Sequence, residues 1–288
     1  MTTPILIDTD LGTDPDDLVA LLTAAASPEV DLVGLTTCYG DTANRAELAA
    51  DVMAALGRAV PIGAGLTSTL SGAEVWYAGN ERHHAPAAPR GGWDDAVELI
   101  VETARARPGL ELVAVGPLTN IAAALEAEPR LPELVGGLAI MGGNFGSPAE
   151  TEHNFRSDDV ATRRVLESGL PVRAIGIEQT LRVPIPRAEL EAWAVGVPLA
   201  ERLLADAAWW MDYHGDEWIF VHDPLTVLMV ARPELFAWSR VSVLVGAEAA
   251  LSVEPSAASM TEIVADLEVE RAREMIVDRV RTALLASA

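Results

Sequence analysis

Five aspartates stand within ten residues near the start of the chain: Asp8, Asp10, Asp14, Asp16 and Asp17, in the stretch PILIDTDLGTDPDD from Pro4 to Asp17. Each close pair of ionised carboxylates repels by roughly 1 to 4 kcal/mol, so something must offset the crowding. A helix start explains Asp16 or Asp17, which gain from capping and from the helix dipole. It does not explain Asp8 and Asp10. A divalent cation, shared protons or a ligand rich in hydroxyl groups would, and with oxygen ligands only the expected metal is Ca2+ or Mg2+. Further on, Glu152, Asn154 and Asp158 follow a buried stretch, as turn formers or as ligand contacts. His222-Asp223 precedes an apolar run, where a helix cap beside a surface histidine is the plain reading.

These side chains need elements to aim them. Ile5, Leu6 and Ile7 open directly into the acidic loop, and Leu18 to Ala26 is apolar at helical spacing, so the start reads as buried strand, loop and helix. Asp31 to Tyr39 predicts a second strand, Thr42 to Leu56 a helix and Ala59 to Ile62 a third strand. This βαβαβ order implies an α/β fold with a mostly parallel central sheet flanked by helices, read as one domain over residues 1–288. Ligands of such sheets bind beyond the carboxyl ends of the strands, where Asp8, Asp10 and Asp41 fall. Residues 66–92 read as a loop of lid length. Beyond it come a helix at 93–107, strands at 110–115 and 134–141, a helix at 158–167 and a strand at 172–177. Residues 187–212 read as a helix divided near Pro198, with Trp209 and Trp210 near its end. A helix over 225–231, late strands at 241–245 and 263–267 and a closing helix at 268–285 complete the reading.

Composition narrows the chemistry. A formal net charge of −23 argues against nucleic acid and anionic membrane surfaces as partners. All 20 strongly basic residues are arginines, which rules out a Schiff-base lysine and a P-loop lysine. The single Cys38 excludes an internal disulfide and a cysteine zinc site and suits a reducing cytoplasm, the expected location. No basic stretch precedes an apolar one near Met1, and no apolar run is long enough to span a bilayer.

With these features placed, the whole chain resembles the inosine-uridine-preferring nucleoside hydrolases, calcium-dependent N-ribohydrolases. The resemblance rests on the acidic stretch, LTTCYGD (Leu35 to Asp41), VGPLTNIAAAL (Val115 to Leu125), MGG (Met141 to Gly143), EHN (Glu152 to Asn154) and HDPL (His222 to Leu225), in the family's order and spacing. It implies a Rossmann-like fold and one Ca2+ held by Asp10, Asp17, the Val115 carbonyl and Asp223. It implies that Asp10 takes the proton from the attacking water, and that His222 protonates the leaving base. Asp16, Glu152 and Asn154 match ribose contacts, with Asp41 standing where shorter-motif members carry asparagine, and Asn144 joins this substrate-binding set. The acidic loop is two residues longer than the family's shortest form, because Asp14-Pro15 intervenes. The family's base-side HG-x-x-GL segment is replaced here by AGNERHH (Ala78 to His84), which leaves Trp76, Tyr77, Asn80, Arg82, His83 and His84 as candidates for base contact. A homo-oligomer, dimer or tetramer, acting on a small nucleoside completes the expectation. Two other readings compete. A haloacid-dehalogenase-like phosphohydrolase needs a late lysine that this chain lacks, and a silent ribose- or nucleoside-binding protein would retain the fold and the metal shell without turnover.

Overall fold

Ile5, Leu6 and Ile7 are wholly buried, as the middle strand of a parallel sheet covered on both faces must be. The computed structural model describes residues 2–86, 89–147, 150–193 and 196–287. β1 (Thr3–Thr9) leads through the acidic loop into α1 (Asp16–Ala25), β2 (Val30–Thr37), α2 (Thr42–Ala55) and β3 (Ile62–Ala64). A long connection reaches β4 (Asp94–Asp95) and α3 (Ala96–Ala106), followed by β5 (Glu111–Ala114), α4 (Thr119–Ala127), α5 (Leu131–Leu134) and β6 (Gly137–Met141). Then come α6 (His153–Ser157), α7 (Asp159–Leu166), β7 (Val172–Ile175), α8 (Ile177–Thr180) and β8 (Pro184–Pro186). The last third holds α9 (Arg187–Glu191), α10 (Pro198–His214), β9 (Trp218–Phe220), α11 (His222–Ala231), β10 (Phe236–Val245), β11 (Leu251–Pro255), β12 (Thr261–Leu267) and α12 (Val269–Ala286).

Ten strands form one sheet in the order β11-β10-β12-β7-β6-β5-β1-β2-β3-β4. Every neighbouring pair from β12 to β4 is parallel, and β10 runs antiparallel to both of its neighbours. Side chains alternate between the faces. Ile5 and Ile7 join one core with residues of α1, α2, α11 and α12, while Leu6 joins a second with residues of α3, α4 and α7. The chain builds outward from β1 through β4, then returns to the other side of β1 with β5. That reversal opens a crevice at the carboxyl ends of β1 and β5, the place where open α/β sheets bind ligands.

The predicted α/β architecture with a mostly parallel sheet is the observed one, with several boundaries moved. The third strand lies at 62–64 rather than 59–62, and the strand expected from 134 starts at Gly137, because Leu131–Leu134 forms a helical turn begun by Pro132. The helix expected from 225 begins at His222, since Asp223 and Pro224 suit a first turn. β4, inside the expected helix at 93–107, and β8, β9 and β11 were not foreseen. β11 is an edge strand carrying Ser252, Glu254 and Pro255, so it lacks the apolar run that marked the central strands. The described part of 66–92 has no helix or strand, yet it is tied down. The Leu70 and Ser71 amides donate to the Asp158 carboxylate at 2.7 and 3.1 Å, and His84 meets Asp206 at 2.7 Å. Among the described residues no helix is long and apolar enough to cross a bilayer.

Candidate active site

The acidic loop is shaped from beneath. Gly12 adopts φ 113°, a backbone conformation that favours glycine, and a Cβ there would stand 2.7 Å from Leu48 Cδ1. Buried Arg45 of α2 donates to the carbonyls of Asp10 and of Leu11, the latter at 2.9 Å, and its Nη1 lies 3.3 Å from Thr13 Oγ1. The Asn80 amide donates to the Thr13 carbonyl at 2.8 Å. The loop is therefore braced from α2 and from the long connection up to Thr13, and Asp14 beyond it lines the crevice. Asp8 points elsewhere. It accepts the Thr36 hydroxyl at 2.7 Å and the Asn120 amide at 2.8 Å, tying β1 to β2 and α4, and burial pushes its carboxyl up to about 7.

Above the loop lies a cavity of about 320 Å3. Asp10, Val115 and Met141 bring the carboxyl ends of β1, β5 and β6 to its floor, and Gly116 makes room: a Cβ there would meet Asp10 Oδ1 and Cys38 Sγ, each at 2.7 Å. Asp16 and Asp17 enter from the first turn of α1 and Asp223 from the first turn of α11. One oxygen of each of these three buried carboxylates lies within 4.8 Å of the others. All three are held well above the usual carboxylate range, first by burial and then by one another and by Asp10 and Asp14. The Asp223 amide donates to Asp16 Oδ2 at 3.2 Å, and Thr9 donates its hydroxyl to Asp17. Buried, mutually repelling carboxylates with only oxygen donors are the chemistry that a hard divalent cation satisfies, so the residues present fit such an ion.

Glu152 caps α6, accepting the amides of Gly143 at 2.9 Å, Asn154 at 2.6 Å and Phe155 at 3.1 Å. Burial raises its carboxyl despite those bonds. Asn154 Nδ2 donates to the carbonyls of Val115 at 3.0 Å and Met141 at 3.2 Å, which leaves the amide oxygen to face a ligand. The far end of the cavity is aromatic. Trp76 and His153 meet edge to face at 5.6 Å, and Trp210 and His214, one turn apart on α10, at 4.5 Å. His222 completes the wall, its Nδ1 2.6 Å from Thr180 Oγ1, and burial lowers its pKa to about 4.

The sequence model of the inosine-uridine preferring nucleoside hydrolases matches residues 5–281. The chain belongs to this family. It is an N-glycosyl hydrolase. The chain is similar to the pyrimidine-specific ribonucleoside hydrolase of Salmonella agona, with 33% identity over 258 residues, covering 82% of each protein. Among solved structures it resembles a plant nucleoside hydrolase (24% identity, TM-score 0.86, 98% of this chain and 99% of that one). It also resembles a purine-preferring ribonucleoside hydrolase from Gardnerella vaginalis (22% identity, TM-score 0.86, covering 98% and 99%). The two structures share the fold.

Against this family frame, Asp10, Asp16, Asp17, Val115, Glu152, Asn154, His222, Asp223 and Trp76 all line one cavity. Asp41, Asn144 and His83 lie outside its lining, so the structure does not bring them together with the others. Asp41 follows β2, on the side of β1 away from the crevice, and caps α2 by accepting the Asn44 amide at 3.2 Å while pairing with exposed Arg82. Asn144 closes a turn on the Ser147 amide at 2.9 Å, and His83 packs its ring edge on Trp209 at 5.6 Å. Sequence reasoning missed His153 and His214 on the wall and Thr180 behind it, while Trp210 reads from the sequence as core first and as a stacking platform in a pocket second. For Trp210 and His214 the signal was present, since residues four apart share a helix face; for Thr180 there was none.

Proposed function

We propose that the chain hydrolyses the N-glycosidic bond of a ribonucleoside to ribose and free base in a calcium-dependent reaction. Supporting this is the gathering of Asp10, Asp16, Asp17 and Asp223 on the floor of a single cavity that also holds His222 and an aromatic wall. Asp17, Asp223, Asp10 and the Val115 carbonyl would hold the ion. When bound, calcium neutralises part of the carboxylate charge and lowers the pKa of water it touches.

The protein's own residues carry the rest. Asp10 accepts a proton from the water that attacks the anomeric carbon. As the bond to the base lengthens, positive charge spreads over the sugar ring, and the surrounding carboxylates stabilise it. Asp16 and the Asn154 amide oxygen accept from ribose hydroxyls, whereas Glu152, already bonded to three amides, acts through the acceptor capacity that remains. His222 donates to the departing base. The planar base packs between the ring pairs Trp76–His153 and Trp210–His214. A pyrimidine ribonucleoside is the first substrate to test, because the relatives at a third identity carry that specificity in their names.

The test is a reducing-sugar assay against a panel of ribonucleosides, with calcium and with chelator, on the protein and on Asp10→Asn. Calcium-dependent ribose release that fails in the variant is expected. Calcium binding without sugar release from any nucleoside would favour a silent binding protein.

A further inference from the structure

A neutral imidazole carries its proton on one nitrogen and a lone pair on the other, and the partner of the first decides what the second can do. His222 Nδ1 stands 2.6 Å from Thr180 Oγ1, and His222 lines the cavity. The Thr180 hydroxyl has one hydrogen and two acceptors in reach: Nδ1, and the Ile177 carbonyl at 3.2 Å. The carbonyl is already bonded by the Leu181 amide at 3.0 Å. The 2.6 Å contact can run either way, since Nδ1–H can donate to the hydroxyl while the hydroxyl donates to the Ile177 carbonyl; the carboxylates beside the ring favour the arrangement in which the hydroxyl donates to Nδ1. Nδ1 then accepts, and the ring's proton sits on Nε2. Oxygens of Asp14 and Asp16 lie within 4.8 Å of a ring nitrogen, surroundings that favour an N–H over a lone pair. Thr180 is wholly buried at the end of α8, directly after β7, and Phe220 flanks the ring at 5.8 Å. The hydroxyl is thus a fixed donor with no solvent to replace it.

We propose that Thr180 is a positioning residue: by donating to Nδ1 it fixes His222 in the tautomer and orientation that turn Nε2–H toward the leaving base. The proposal rests on the reading of His222 as the donor to that base. Nε2–H meets the negative charge that builds on the base as the C–N bond lengthens, and a ring held in the other tautomer would oppose that charge with a lone pair. Ile177, which opens the same helical turn, itself lines the cavity, so α8 couples the ring's support to the wall that the base touches.

The experiment combines a spectroscopic and a kinetic readout on the full chain. Histidine-selective 15N NMR, with His222→Gln to assign the signal, reports which ring nitrogen is protonated. The Nε2–H form is expected in the wild type and in Thr180→Ser, and a shift toward Nδ1–H in Thr180→Val. Loss of one orienting hydrogen bond should lower kcat on nucleosides on the order of tenfold in Thr180→Val, with KM changed less than about threefold and recovery in Thr180→Ser. A 4-nitrophenyl riboside, whose leaving group needs no donor, should be turned over equally by all three. An Nδ1–H signal in the wild type overturns the proposal, as does undiminished kcat in Thr180→Val while His222→Gln is impaired. Undiminished nucleoside turnover in His222→Gln itself would remove the donor reading underneath, and the proposal with it.

Discussion

The three-carboxylate cluster makes a prediction in which one substitution changes sign with conditions. At 4.8 Å, the limit that bounds Asp16, Asp17 and Asp223, two unit charges repel by about 3 kcal/mol at an effective dielectric near 20. Asp17 faces both of the others, so Asp17→Asn removes two such terms while its side-chain oxygen still accepts from Thr9. Proton uptake relieves part of the repulsion near neutrality, because the folded-state pKa values are raised. A carboxyl whose pKa is raised on folding stabilises the fold below its unfolded value near 3.8, and that contribution is lost as pH rises through the folded value. Asp14, pushed up to about 7, places part of that loss around neutral pH. In chelator the variant should therefore be more stable than the wild type, by a few kcal/mol at the alkaline end of the range, or roughly 2 °C in Tm for each kcal/mol in a chain of this length. In calcium the order should invert once the ion stands about a thousandfold above Kd, where it adds about 4.1 kcal/mol to a protein that binds it, against about 2.7 at a hundredfold, because the variant has lost a ligand. Differential scanning fluorimetry across pH, with chelator and with calcium, reads both arms. A variant less stable than wild type in chelator, or one with an intact calcium-dependent rise, would refute the electrostatic account.

Other expectations follow from the same geometry. Asp41→Ala should lower stability by about 1 kcal/mol through loss of the α2 cap, its exposed pairing with Arg82 adding little, and should leave KM unchanged; a large rise in KM in steady-state assays would return Asp41 to the site. Arg45→Met strands buried carbonyls of Asp10, Leu11 and Tyr39 and should cost about 3 kcal/mol or more in urea unfolding; wild-type stability would show that the loop needs no brace. His222, lowered by burial to about 4 from 6.5, contributes stability that is complete above about 6.5 and lost as pH falls from there to about 4; His222→Gln should flatten that part of the acid limb, and an unchanged limb would place the ring's titration elsewhere.

How much was legible in advance varied with the physics. β1 and its acidic loop announced themselves because a buried apolar run and a block of charge are both local signals. The pairing of Asp17 with Asp223 is not local, and composition and spacing gave no hint of it; the family resemblance supplied it. The place of Asp41 was hidden for a related reason: it follows a strand, but the strand order sets β2 on the far side of β1 from β5, and order cannot be read from one chain's periodicity. Residues 134–141 looked like one strand because a turn begun by Pro132 runs without a polar break into β6. Thr180 carried no mark at all, since a threonine in a short turn has dozens of ordinary uses.

The distance along the chain between α1 and α11 has a kinetic consequence. The ligands they present meet only after β1, β5 and β6 have paired and α11 has docked, so an unfolded or half-folded chain has no site for an ion to recognise. On the proposed calcium dependence, the ion would therefore not speed the search for the fold; it would hold the finished molecule together by slowing unfolding. The same division would make the metal-free protein the form most open to proteases, and the supply of the ion a control on how long each molecule lasts as well as on how fast it works.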